Sequence, residues 1–157
     1  MERERERERG FEIVKGFEDS NINLPKRKTK HAAGYDFEAA EDIIIHPGYD
    51  KPTLVKTGIK AYMKEDEVLY IFNRSSNPKK KKLILANSVG VIDGDYYSNE
   101  DNDGHIMFAY YNVSNEDVEI KKGEAIGQGV FQKFLKVDEE EEIKNERKGG
   151  FGSTDNN

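Results

Sequence analysis

Cysteine is absent from the 157 residues. Disulfides, thiolate zinc sites and cysteine nucleophiles are thereby excluded together, and the composition suits a reducing, cytoplasmic setting. Histidine is scarce: only His31, His46 and His105 occur, and they form no spaced ligand set. Zinc-dependent hydrolysis and Ser-His-Asp catalysis therefore have little to build on. No apolar run approaches the ~20 residues that a membrane span needs. The N-terminus lacks an apolar signal core, so neither a membrane nor export is expected. Basic charge is in the minority, with 25 Lys and Arg against 31 Asp and Glu and a formal net charge of −6. That balance argues against direct nucleic-acid binding, although a local basic patch can still hold phosphate. Among hydrolytic schemes, water activated by a carboxylate is the simplest left to such a chain.

The length fits one domain, able to bury roughly two-thirds of its unfolded surface. Residues 2–9 alternate Glu and Arg. On a helix like charges would stand four apart, and a strand would carry one all-Glu and one all-Arg face with nothing to bury. Residues 1–10 are expected to be a disordered or artificial leader. Residues 11–135 read as a β domain. Short β-rich runs at Phe11–Val14, Asp42–His46, Thr53–Tyr62, Val68–Phe72, Leu83–Leu85, Gly90–Ile92, Ile106–Asn112, Val118–Ile120 and Ala125–Phe134 are separated by turn residues. Only Glu38–Ala40 offers a helical turn. The pattern implies an all-β antiparallel sandwich, jelly roll or small barrel. Residues 136–157 form an acidic linker and a Gly-rich C-terminal arm.

Five segments carry candidate chemistry. Ala33-Gly34-Tyr35-Asp36 reads as a turn. Asn73-Arg74-Ser75-Ser76, after an apolar run, is either a capped turn or a phosphate cradle, with a guanidinium fork and two hydroxyl donors. Asn87 to Tyr96 places Asp93 at a strand end, where a carboxylate can serve as general base to water; its other reading is a β-turn with two exposed acids. Gly123 to Val130 has glycines that allow close approach of a backbone or ligand, with Gln128 as a hydrogen-bonding side chain or simply an outward polar residue. Lys148 to Thr154 surrounds Phe151 with glycines and hydroxyls, suited to stacking on a base and gripping phosphate; a frayed end is the plain alternative.

Together and in this order, the five segments resemble the motifs of the trimeric dUTP pyrophosphatases (dUTPases), from about Ala32 to Thr154. The resemblance implies a jelly roll, a homotrimer with active sites shared between subunits, and an extended C-terminal arm that closes them. It implies Mg²⁺-dependent cleavage of dUTP to dUMP and pyrophosphate, which limits uracil in DNA. Asp93 would activate the attacking water. Tyr96 would pack on the deoxyribose, while Asn87 and the hairpin near Met107 would read uracil. Arg74, Ser75, Ser76 and Gln128 would contact phosphates, and Asp36 would hold hydrated Mg²⁺ through water. Phe151 would stack on the base, Gly152, Ser153 and Thr154 would grip the γ-phosphate, and Arg147 would add charge there. The host would be a cell or a phage.

Departures from the family pattern are a longer stretch between Tyr96 and Gly104, the lysines Lys79–Lys82, and Asp155 after the threonine. The longer stretch is expected to lie outside the uracil-reading loop, and the lysines to form a solvated loop. Two other readings share the fold: a dCTP deaminase-like enzyme, and a nucleotide-gated regulator whose protein partner would meet Asn99–Asp103 or Lys79–Lys82.

Overall fold

The structure, a computed structural model, describes residues 6–150. Eleven strands follow one another as β1 (Gly10–Ile13), β2 (Tyr35–Glu38), β3 (Ile43–Ile45), β4 (Gly48–Lys56), β5 (Ile59–Tyr62), β6 (Glu67–Asn73), β7 (Leu83–Leu85), β8 (Gly90–Ile92), β9 (Met107–Asn112), β10 (Val118–Ile120) and β11 (Ala125–Lys133). Every strand pairing is antiparallel. A sheet ordered β2-β11-β6-β8 faces one ordered β4-β9-β7, and the pairs β1-β5 and β3-β10 complete the jelly roll.

Alternation decides which side chains meet between the sheets. In β9, Phe108, Tyr110 and Asn112 point inward and are buried. In β6, Leu69 and Ile71 point inward, while Tyr70 and Phe72 remain half-exposed on the outer face. Full burial of each large apolar side chain is worth ~1.5–3 kcal/mol. The Phe37 and Phe108 rings meet across the core with centroids 5.5 Å apart. They fit because the inner face of β11 is glycine. A Cβ at Gly127 would collide with the Phe108 ring, and one at Gly129 would lie 2.9 Å from Phe37 Cε2. The close approach read from these glycines is thus made by aromatic rings of the core.

Three local expectations need correction. Thr53–Tyr62 is not one strand but β4 and β5, broken at Thr57-Gly58, where Gly58 has φ +71°. Glu38 ends a strand rather than starting a helical turn, because β2 pairs with β11. Lys79–Lys82, expected to form a solvated loop, remain largely exposed, but Lys79–Lys81 belong to a single π-helical turn, Asn77–Lys81. At the N-terminal end, Gly10 pairs with Tyr62, and Arg7 and Arg9 form ion pairs with Glu12 and Glu67.

The Thr57-Gly58 turn is tied to the segment before β9. Thr57 Oγ1 donates to the Ile106 carbonyl (2.6 Å), and the Gly58 N–H donates to His105 Nε2 (2.8 Å). That nitrogen accepts only when the ring is neutral. Burial holds the imidazole down at about 4, below its ordinary 6.5. Between these values the unfolded chain binds the proton and the folded chain does not. Stability from this group is therefore complete above about 6.5 and is lost as pH falls toward about 4. Melting temperatures recorded across this range should fall on acidification, and His105→Gln should flatten that part of the profile.

Candidate active site

The first cluster forms where β8 ends. Ile92 is the last residue of β8, Asp93 is extended (φ −78°, ψ 156°), and Gly94–Tyr96 make one 3-10 turn. The turn drives Tyr96 inward, where the side chain is only 6% exposed. Its hydroxyl donates to the His105 carbonyl at 2.6 Å, and burial pushes the phenol pKa up. Asn87, beyond β7, and Met107, opening β9, stand across from it. Asn87, Gly90, Asp93, Tyr96, Met107 and Arg147 line a cavity of about 200 Å³. Four of these, Asn87, Asp93, Tyr96 and Met107, are residues expected from sequence to surround the base, the sugar and the attacking water, whereas Arg147 was expected at the γ-phosphate.

Arg147 closes this cavity. Its Nη2 donates to Asp93 Oδ2 and its Nε to Asp95 Oδ1, both at 2.7 Å. The guanidinium side chain is 17% exposed, against 50% for Asp93 and 62% for Asp95. Its Nη1 also donates to the Gly149 carbonyl at 3.0 Å. The arm therefore meets Asp93 within one chain. Phe151, Gly152, Ser153 and Thr154 lie outside the described residues.

The second cluster forms at the far end of β6. Asp36, Gln128 and Phe72 lie in register across β2, β11 and β6. Gly34 admits the Gln128 amide, which would collide with any Cβ there. Gln128 Nε2 reaches the Asn73 carbonyl at 3.4 Å. Arg74 leaves the strand and donates to the Ala125 carbonyl at 3.2 Å. Ser75 is exposed, and Ser76 precedes the π-helical turn without capping it. Asp36 and Arg74 share a groove with Lys26, Arg27 and Lys28, a basic run that sequence reading passed over although it was visible.

Asn77 anchors this second cluster from inside. Its buried amide donates to Asn73 Oδ1 (2.9 Å) and the Ile126 carbonyl (2.9 Å). Tyr110 donates to the same carbonyl, and burial raises its phenol pKa strongly. The burial of Asn77 follows from the convergence of β6, β9 and β11 on it, which no local sequence signal reveals.

Metal ligands are sparse. Among the described residues no group of three or more His, Asp or Glu could hold an ion. Asp36 lies in the same groove as Arg74, with Lys28 Nζ 3.7 Å away and Glu38 further along the lining. One carboxylate fits a Mg²⁺ that keeps its waters and is held mainly by phosphates, and does not make a protein cage.

The model of the dUTPase family matches residues 20–155. The chain belongs to the dUTPase family. It is 56% identical over 147 residues to the deoxyuridine 5'-triphosphate nucleotidohydrolase of Lactococcus lactis subsp. lactis (strain IL1403), covering 93% of this chain and 97% of the relative. The crystal structure of dUTPase from Streptococcus mutans superimposes with a TM-score of 0.78 at 53% identity, over 82% of this chain and 98% of that one. The dUTPase of phage phi11 of S. aureus shares the fold at 19% identity, with a TM-score of 0.69 over 89% of this chain and 99% of that one.

Removing the buried amide that supports the Arg74 loop should weaken both fold and site. Asn77→Ala should cost about 1–3 kcal/mol in urea unfolding, the usual scale for stranding buried hydrogen-bond partners. It should also raise KM for the nucleotide more than it lowers kcat.

Proposed function

We propose that this chain hydrolyses dUTP to dUMP and pyrophosphate, with Asp93 as general base. The observation that carries the reading is the cavity bounded by Asn87, Asp93, Tyr96 and Met107, in a chain of the dUTPase family. Asp93 is held at a strand end by the β6–β8 pairing, and its half-exposed carboxylate can reach water.

In the proposed reaction, water attacks the α-phosphorus. Asp93 takes a proton from that water as the new O–P bond forms. The bond from the α-phosphorus to the bridging oxygen breaks, and its electron pair leaves with pyrophosphate. Tyr96 walls the sugar, Asn87 and the backbone at Met107 receive uracil, and Arg74, Ser75, Ser76 and Gln128 hold phosphates. Mg²⁺, held by the phosphates and through water by Asp36, would offset the charge of the triphosphate. Arg147 has a double assignment: it rests on Asp93 and Asp95, and transfers to phosphate when the triphosphate arrives. That exchange frees the Asp93 carboxylate to accept a proton. Phe151 and the Gly152-Ser153-Thr154 segment complete the closure.

The two clusters imply more than one copy of the chain. Asp93 lies one step beyond the Ile92–Leu69 pair, level with Val68, whereas Arg74 follows the other end of β6. Six residues of strand separate these levels, roughly 20 Å at ~3.3 Å per residue. One triphosphate cannot span that distance while touching both clusters at its α-phosphate. On this reading a neighbouring copy supplies the cradle, as a homotrimer with shared sites would. The outer face of β8, β6 and β11, with Val91, Tyr70 and Val130 adjacent in register, offers apolar surface for such contacts.

Purified protein with Mg²⁺ should release pyrophosphate from dUTP in clear preference to UTP, dTTP and dCTP; release of ammonia from dCTP would instead support deaminase chemistry. Asp93→Asn should keep nucleotide binding and lose at least ~100-fold in kcat. Unchanged turnover in that variant would remove the assigned role.

Site sharing has its own test. Arg74→Ala and Asp93→Asn proteins should each be nearly inactive, yet unfolding and refolding them together should restore a measurable fraction of activity. Mixed copies then contain some sites with both residues intact. No recovery in mixed oligomers would place both residues in a site made by one chain.

A further inference from the structure

The stretch between Tyr96 and Gly104 folds back over Tyr96. Asn102 Nδ2 donates to the Tyr96 hydroxyl at 2.8 Å. Asn102 Oδ1 accepts from Asn99 Nδ2 at 2.9 Å and from the Gly104 N–H at 3.1 Å. Asn99 is itself buried, and its Nδ2 also donates to the Tyr96 carbonyl at 2.7 Å. Asn99 Oδ1 accepts from the N–H groups of Asp101 and Asn102, each at 3.0 Å.

We propose that Asn102 is a positioning residue for sugar selection: it fixes the Tyr96 ring at the depth that excludes a ribose 2′-hydroxyl. The proposal rests on the assignment of Tyr96 to the sugar wall.

The geometry gives the reason. A phenol on a one-turn helix has two soft side-chain torsions, and here it lines the cavity. The His105 carbonyl alone fixes the hydroxyl at one point. Asn102 supplies a second bond from a different direction, so the oxygen is held both as donor and as acceptor. The support is itself pinned. Asp103, next in the chain, forms an ion pair with Lys60 at 3.0 Å and accepts from the Lys15 N–H at 3.0 Å. Burial pushes the Asp103 carboxyl up, but the hydrogen bonds from Lys15 and Lys60 outweigh it and hold the pKa below the ordinary value. Gly104 has φ +82°, and a Cβ there would approach the Tyr96 carbonyl to 2.8 Å, so the loop closes tightly on the backbone it supports. An extra hydroxyl on the sugar is rejected only as firmly as the wall stays in place. An aromatic wall free to shift by a fraction of an ångström would admit it.

Coupled kinetics with dUTP and UTP test the assignment. Asn102→Ala should lower the ratio of kcat/KM for dUTP over UTP by ~10-fold, mainly by improving use of UTP and raising KM for dUTP. Tyr96→Phe keeps the ring and deletes the shared oxygen, and should lower the ratio comparably. In the double variant the two losses should not add, because both act through one hydroxyl. Additive losses would overturn the proposal, as would a fall in melting temperature with an unchanged ratio. Tyr96→Ala separates the underlying assignment. If that change leaves the ratio intact, Tyr96 is no sugar wall and the proposal falls with it. If it abolishes the preference while Asn102→Ala does not touch it, Tyr96 keeps its role and Asn102 alone loses its own.

Discussion

The contact on which the architecture depends is the approach of two aromatic rings to bare backbone. Phe108 and Phe37 lie where side chains at Gly127 and Gly129 would have to be. This brings β9 close beneath β11, and β11 is the strand that joins β2 to β6. Asp36, Gln128 and the start of the Arg74 loop inherit their positions from that ladder. Close packing is unforgiving of even one added methylene, so the glycines hold Asp36, Gln128 and the Arg74 loop in place by keeping the sheets at a fixed separation. The same strand β6 carries β8 on its other edge and thereby sets Asp93. Both clusters are thus mounted on one rigid ladder.

Electrostatics at the first cluster are arranged around a single guanidinium. Two carboxylates two residues apart, Asp93 and Asp95, would repel each other, and the fork of Arg147 relieves this through two bonds of 2.7 Å. An arginine suits the place because its planar donors can engage two oxygens at once. Both carboxylates are half-exposed or more, so solvent screening keeps the pairing weak enough to exchange. A triphosphate presents more negative charge than the two acids together. The contact seen in the chain alone therefore suits a resting state that substrate can displace.

Much of this was legible in the sequence, for physical reasons. Strands such as Leu83–Leu85, Gly90–Ile92 and Val118–Ile120 matched their structural limits, because period-two alternation and flanking turn residues are local signals. Tyr35–Glu38 escaped notice because its strand character comes from pairing with β11, which is ninety residues distant. The grouping of Asn87, Asp93, Tyr96 and Met107 was anticipated through motif resemblance. The supports were not: Asn77, Asn99 and Asn102 look like ordinary turn residues until the amides, buried at Asn77 and Asn99 and half-buried at Asn102, are seen bonded to carbonyls and hydroxyls. Polar side chains in loops signal turns in sequence whether or not they are satisfied inside the fold. The grouping of Lys26 to Lys28 with Arg74 depended on the Lys26–Asp36 bridge, another non-local pairing.

The division of the site along β6 bears on how the proposed activity is controlled. A strand is stiff, so no hinge within this chain can bring Asp93 to the level of Arg74. On the proposed shared-site reading, catalysis would require association, because a lone chain would hold the proposed base with no proposed phosphate contacts in reach. Asp93 and Arg74 at opposite ends of one ladder would let each copy present both halves in opposite directions. A closed ring of copies uses every half once. In such a ring, the precision of each site is inherited from subunit packing as well as from the strand ladder. Substitutions on the outer face bearing Tyr70, Val91 and Val130 would then alter turnover without touching nucleotide, because they would shift one half of the site against the other.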